Sequence, residues 1–191
     1  MRIKQAEFKQ AIYDVGLYQP SEQMEIAIVG RSNSGKSSLI NKLCNNRKLA
    51  RVSSEPGKTR SVNLYEINRE FLLVDLPGYG FAKRSAKEKQ QWGELIEGYF
   101  EKSESLRHLL LLCDIRHDPS AGDMTMVNYL RYYDIPYTLV ATKCDKLAKS
   151  KRKSQLDRLA KQVGAENGCV FSALDGTGKD ALLDILTQIV G

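Results

Sequence analysis

The sequence predicts an α/β fold: a six-stranded, mostly parallel sheet with one antiparallel edge strand and helices on both faces. Three observations carry this. Short apolar runs alternate with segments of helical periodicity along 191 residues, the pattern of a parallel sheet with crossover helices. Between Ile67 and Phe71 only "NRE" intervenes, too short for a crossover, so the strands on either side form an antiparallel hairpin. At 42% hydrophobic residues, a chain of this length fills one sizeable core but not two.

Taken in order, the first twenty or so residues are ambiguous between strand and helix. Residues 1–22 are expected as an N-terminal extension that packs on, or leads into, a single domain over 23–191. Strands are expected at 25–29, 62–67, 71–76, 108–114, 137–142 and 168–171, and helices at 36–45, 86–102, 122–133, 150–164 and 178–190. In the last helix Leu182, Leu183, Leu186, Ile189 and Val190 share one face of a 3.6-residue period, which marks core. Stretches 46–61 and 77–86 are rich in Gly, Pro, Ser and basic residues and read as loops.

Composition narrows the partners. The net charge of +6 suits an anionic partner, nucleic acid or a lipid surface. Cysteines at 44, 113, 144 and 169 form no C-x-x-C pair, which suits buried thiols in a reducing compartment. No apolar run approaches the ~20 residues of a membrane span, and "MRIKQAEFKQ" lacks the apolar stretch of a secretory signal. A cytoplasmic protein without a membrane anchor is expected.

The segment "GRSNSGKSS" follows a predicted strand and opens a predicted helix, matching G-x-x-x-x-G-K-[ST]. Gly30 and Gly35 allow the backbone angles and close approach by which successive amides of Arg31, Ser32, Asn33 and Ser34 ring a β-phosphate, with Ser38 following in the helix. Lys36 is expected on the β- and γ-phosphates, and Ser37 on magnesium. This motif alone says nucleoside triphosphate and leaves the base open.

The run "LLVDLPGYG" ends a strand in D-x-x-G: Asp75 for magnesium, then Leu76, Pro77, and Gly78, whose amide senses the γ-phosphate. Upstream, "EPGKTRS" offers Pro56, Gly57, Lys58 and Thr59. The Thr59 hydroxyl would complete the magnesium shell, and its amide would meet the γ-phosphate. Lys36, Thr59 and Gly78 are the expected catalytic contacts. The base is read at "VATKCDKL": Asp145 would accept from guanine N1 and the 2-amino group, the stem of Lys143 would cover the ring, and Thr142 and Cys144 frame them. Adenine offers no such donor pair, and an unpaired carboxylate beside the wrong base costs about 1–3 kcal/mol. Many GTPases carry Asn at position 142, so the shorter Thr142 is expected to hold the loop less firmly. In "FSALDGTG", Phe171 leads into Ser172, Ala173 and Leu174, whose amides are candidates for guanine O6.

These five segments, in this order, resemble the TRAFAC GTPases. The fuller strings "GRSNSGKSSLIN", "PGKTRSVN", "DLPGYGFA", "ATKCDKL" and "FSALDGTG" resemble the EngB family, also called YihA or YsxC, over residues 6–190 or so. The resemblance implies a Ras-like P-loop GTPase fold, GTP or GDP with magnesium as ligands, and a role in maturing the large ribosomal subunit. It also implies a potassium ion at Asn33, against the simpler reading that Asn33 only stabilises the turn. Ser34, where Val is common, and Arg60, where Gln is common, depart from the family strings without removing a phosphate or guanine ligand.

Where Ras-like enzymes place a water-orienting Gln after the D-x-x-G glycine, this chain has Tyr79. A phenol either packs away or hydrogen-bonds, and slow intrinsic hydrolysis is expected. Basic residues flank the same loops: Arg47, Lys48, Arg51, Lys58, Arg60, Lys83, Arg84, Lys87 and Lys89, with the run 146–153 beyond. A monomer that meets ribosomal RNA through this face, by shape and charge, is the expectation. An ATPase or small-molecule kinase, and a binding module with a structural nucleotide, remain the alternatives.

Overall fold

The computed structural model describes residues 1–51, 61–80 and 85–191. Its strands are β1 (Ala6–Ile12), β2 (Met24–Gly30), β3 (Val62–Ile67), β4 (Phe71–Asp75), β5 (Leu106–Asp114), β6 (Tyr137–Thr142) and β7 (Gly168–Val170). The helices are α1 (Lys36–Leu43), α2 (Ala86–Lys102), α3 (Ala121–Tyr132), α4 (Lys149–Val163) and α5 (Lys179–Val190). One sheet contains all the strands, in the order β1-β3-β4-β2-β5-β6-β7. Six strands were expected and seven are present among the described residues, because part of the N-terminal stretch pairs as β1, antiparallel to β3. The one strand that opposes the others, β3, therefore lies second from that edge and not at it, paired antiparallel to both β1 and β4, while the remaining neighbours pair parallel.

Alternation along the central strands decides which helix covers which face. Ala27, Val29, Leu109 and Leu111 point to the layer formed by α2, α3 and α4, where they meet Ile96, Tyr99, Met126, Leu130 and Leu159. Ile26, Ile28, Leu110 and Leu112 point the other way, to Leu39, Ile40 and Leu43 of α1 and Leu182 and Leu186 of α5. Buried on both faces, these strands read as continuous apolar runs, as parallel strands must. Helices α2 and α3 begin in capping boxes, Ser85 with Glu88 and Ser120 with Asp123, which satisfy amides that no turn of helix can. The β3–β4 hairpin turns on Asn68 and Arg69, both at positive φ (53° and 61°), the geometry that matches strand twist.

Glu25, fully buried at the start of β2, ties the N-terminal segment down. Its carboxylate accepts from Tyr18 Oη (2.8 Å), Tyr99 Oη (2.7 Å) and Ser103 Oγ (2.7 Å). A buried charge is tolerated when its lone pairs are filled in this way. Among the described residues, no helix is long and apolar enough to cross a membrane.

Candidate nucleotide-binding site

The site forms where β2, β4 and β6 release the chain at one end of the sheet. After Gly30 the backbone turns through Asn33 (φ 64°) and Gly35 (φ 94°) before α1 starts at Lys36. A Cβ on Gly30 would stand 2.5 Å from Ser34 Oγ and 2.9 Å from Leu112 O, so only glycine lets the strand pass. Gly35 caps α1 with no side-chain hydrogen bond, and a Cβ built there meets nothing within 4 Å. The free amides at the positive end of this helix are the expected anion cradle.

Lys36 Nζ lies 2.9 Å from Asp75 Oδ1. Asp75 is buried, yet among the described residues that oxygen receives no aligned hydrogen bond, and buried Ser34 Oγ has no partner either. A buried carboxylate oxygen held by an ion pair alone retains lone-pair capacity for a hard cation. The segment after Asp75 is laid against the phosphate loop: Ser32 N donates to Tyr79 O (2.9 Å), and a Cβ on Gly78 would crowd Ser32 Oγ and Gly30 O at 3.1 and 3.2 Å.

Tyr79 both packs away and hydrogen-bonds. Its ring sits edge-on to Trp92 (centroids 6.0 Å apart) and against Gly122, where a Cβ would fall 2.7 Å from Tyr79 Cδ2. Its hydroxyl donates to Asp123 Oδ1 at 2.6 Å, while Asp123 Oδ2 accepts from Ser120 N and Oγ. Burial, then the neighbouring Asp123, pushes the Tyr79 phenol well above its ordinary value. Trp92 Nε1 donates to Pro77 O (2.9 Å), so α2 and α3 together hold the D-x-x-G segment.

At the other end, Asp145 Oδ1 accepts from Ser172 Oγ (2.7 Å), and Ser172 is fully buried. The Ser172 amide donates to Thr177 O, and the Leu174 amide to Ser172 Oγ. Of the three amides expected near guanine O6, only that of Ala173 is without a partner among the described residues. Thr142 does more than its length suggested: its hydroxyl lies 2.7 Å from Ser34 O and 3.2 Å from Cys113 O, tying β6 to the phosphate loop. Lys143, at φ 58°, sends Nζ to Asn33 O (2.7 Å) and to Asp114 Oδ2 (3.1 Å). Its stem thus spans from the base-reading loop to the phosphate loop. Burial alone would raise the Asp114 carboxyl, but hydrogen bonds from Arg116 and Lys143 outweigh it and hold the group well below the usual carboxylate range.

The structure therefore brings Gly30 to Ser38, Asp75 to Gly78, Thr142 to Asp145 and Phe171 to Ala173 to one end of the sheet. Pro56, Gly57, Lys58 and Thr59 lie outside the described residues, as do Arg60, Lys83 and Arg84. Sequence reasoning missed Asp114 and Asp123. Each acts through a partner distant in sequence; Asp114 belongs to no recognisable motif, and the S-x-x-D string of Asp123 marks a helix start and not a site.

A family model described as "50S ribosome-binding GTPase" matches residues 25–143. A protein of Clostridium kluyveri named "Probable GTP-binding protein EngB" is 45% identical over 193 aligned positions, covering all of this chain and 98% of the relative. One of the same name from Oceanobacillus iheyensis is 42% identical and covers 100% and 99%. Among solved structures, that of a probable GTP-binding protein EngB gives a TM-score of 0.71 at 23% identity, over 87% of this chain and 98% of that one. Era in complex with MgGDPNP and nucleotides 1506–1542 of 16S ribosomal RNA gives 0.70 at 24% identity, over 87% and 56%. At such identities the structural likeness speaks for the fold.

Proposed function

Because the chain belongs to the EngB family of GTP-binding proteins, within the P-loop GTPases, we propose that it acts as a GTP-controlled switch in assembly of the large ribosomal subunit, hydrolysing GTP slowly by itself. The observation that carries the nucleotide half is the pairing of Asp145 with Ser172, joined through Thr142 and Lys143 to the phosphate loop. Among the described residues the second carboxylate oxygen of Asp145 has only Lys146 Nζ near it, at 3.8 Å, and two coplanar acceptors are what guanine N1–H and the 2-amino group require.

In this reading Lys36 exchanges Asp75 for phosphate oxygens when GTP enters. Asp75 and Ser37, with Thr59 from the sequence, then offer hard oxygens to magnesium, which when bound neutralises charge on the β- and γ-phosphates. Gly78 presents its amide to the γ-phosphate, and loss of that group releases the segment. Water positioning is the weak step. Tyr79 stands where a Gln would serve, and its hydroxyl is committed to Asp123. The Asn33 side chain makes no hydrogen bond among the described residues and is the proposed ligand for a potassium ion, which would aid charge stabilisation.

The ribosomal half rests on the family description and on basic residues near the same loops, with ribosomal RNA of the large subunit as the proposed partner of a cytoplasmic monomer. Titration with fluorescent GTP and ATP analogues tests the base: GTP binds at least about a hundredfold better, as a 2.7 kcal/mol preference demands. Co-sedimentation with separated ribosomal subunits, under a GTP analogue and under GDP, tests the switch. Equal association with both nucleotides, and hydrolysis that no subunit accelerates, defeat it.

A further inference from the structure

At the end of the sheet opposite the candidate site, an open groove of about 890 Å³ runs between residues 2–7 and the chain just after α1. Helix α1 starts at the phosphate loop and spans eight residues, so its far end is ~12 Å away at 1.5 Å per residue. Four cations line the groove: Arg2 and Lys4 on one wall, Arg47 and Lys48 on the other. All are exposed, and none forms an ion pair among the described residues. The carboxylate on the same wall, Glu7, accepts from Gln5 Nε2 (2.8 Å).

Both walls are fixed by buried or doubly bonded asparagines. Asn68 Oδ1 accepts from Lys4 N (2.8 Å) and Gln5 N (3.2 Å), and its Nδ2 donates to Arg2 O (3.0 Å). Asn41, 8% exposed, donates to Arg47 O (3.2 Å) and Ala50 O (2.8 Å) and accepts from Ala50 N (2.7 Å). Lys179 Nζ adds bonds to Lys42 O and Asn45 Oδ1, both 2.7 Å. Cations that merely solvate a surface need no such support. Here the backbone beneath all four is ordered in advance, so a polyanion would meet a preformed site and lose only side-chain freedom.

We infer that this groove binds the phosphate backbone of RNA, independently of the bound nucleotide. The inference rests on the RNA-facing reading above but assigns a different face: Arg47 and Lys48, expected from the sequence beside the nucleotide loops, lie past the far end of α1 with Arg2 and Lys4. RNA is favoured over a lipid surface because the site is concave and none of the large exposed apolar side chains, Phe8, Tyr13, Leu17, Tyr132 and Leu174, lines it. A membrane-surface site combines cations with inserted apolar groups.

The experiment uses the full chain with Arg2→Glu, Lys4→Glu, Arg47→Glu and Lys48→Glu, and a second chain with Gln at the four positions. The probe is a fluorescent 20-base-pair RNA duplex of arbitrary sequence, titrated at several salt concentrations with GTP analogue, GDP or no nucleotide. Four lost phosphate contacts make the slope of log K against log salt shallower by about 3.6, at ~0.9 per contact on a duplex, and both variants should show this in every nucleotide state. An unchanged slope, a loss confined to one nucleotide state, or loss of binding to phosphatidylserine vesicles with RNA binding intact overturns the inference. Nucleotide affinity of the variants controls for folding. If wild-type chain ignores ribosomal subunits yet its duplex binding falls with these substitutions, the switch reading fails and the groove stands. If the variants bind duplex normally and still follow GTP to the subunit, the reverse holds.

Discussion

Replacing Tyr79 by Phe removes one oxygen and leaves the ring contacts with Trp92 and Gly122 in place. That oxygen donates at 2.6 Å to Asp123 Oδ1, and both residues are 5% exposed. Hydrogen bonds to charged groups contribute about 1.5–3 kcal/mol, and the orphaned acceptor remains buried. Asp123 keeps its bonds to Ser120 through the other oxygen, so total collapse is not expected and about 2 kcal/mol is. For a domain of this size that lowers Tm by roughly 4–8 °C, readable by calorimetry on nucleotide-free protein. Tyr79→Gln goes further, because the amide would enter a slot shaped for a ring while the backbone at 79 stays paired to the phosphate loop. It should lose stability without quickening single-turnover hydrolysis. A Phe variant within about 0.5 kcal/mol of wild type, the scale of a surface change, or a Gln variant hydrolysing tenfold faster, refutes this role for the Tyr79–Asp123 bond.

Other outcomes follow from the same geometry. Thr142→Val leaves Ser34 O without its hydroxyl donor and should weaken GTP binding about tenfold, a 1.4 kcal/mol loss, measured by fluorescent-nucleotide titration. Gly178→Ala puts a Cβ 1.7 Å from Val170 O at φ 80° and should cost more than about 3 kcal/mol, seen as a large fall in denaturant midpoint. Asp145→Asn should weaken GTP and favour xanthosine nucleotides, in a competition assay; an unchanged preference removes the guanine assignment. Burial raises the phenols of Tyr18, Tyr65, Tyr79 and Tyr99 above the ordinary value of 10. A raised folded-state pKa gives stability that is complete below about pH 10 and lost above it. Tm should therefore hold from pH 8 to 10 as far as these groups decide it, and then fall.

Much of this molecule is legible in its sequence because phosphate and guanine recognition use short, contiguous strings and parallel strands are apolar throughout. Strand β1 was not legible. Its middle residues 7–10 are exposed, it carries a register irregularity between Phe8 and Gln10, and its partner β3 lies some fifty residues on. The roles of Thr142 and Ser172 were misjudged for a related reason: side-chain length and local turn chemistry were visible, but not the distant atoms they meet. Thr142 reaches Ser34 O across the sheet. Ser172 spends its amide on Thr177 O and supports Asp145 with its hydroxyl instead.

The two borders of the sheet differ in how they are finished. One ends in β7, only three residues long; the other ends in β1, where the ladder is interrupted and Lys9 stands 47% exposed beside Glu66. Short rims, kinks and lysines all discourage strand-to-strand addition between molecules. Concentrated solutions of the chain should thus resist forming fibres or edge-joined chains, even on long standing.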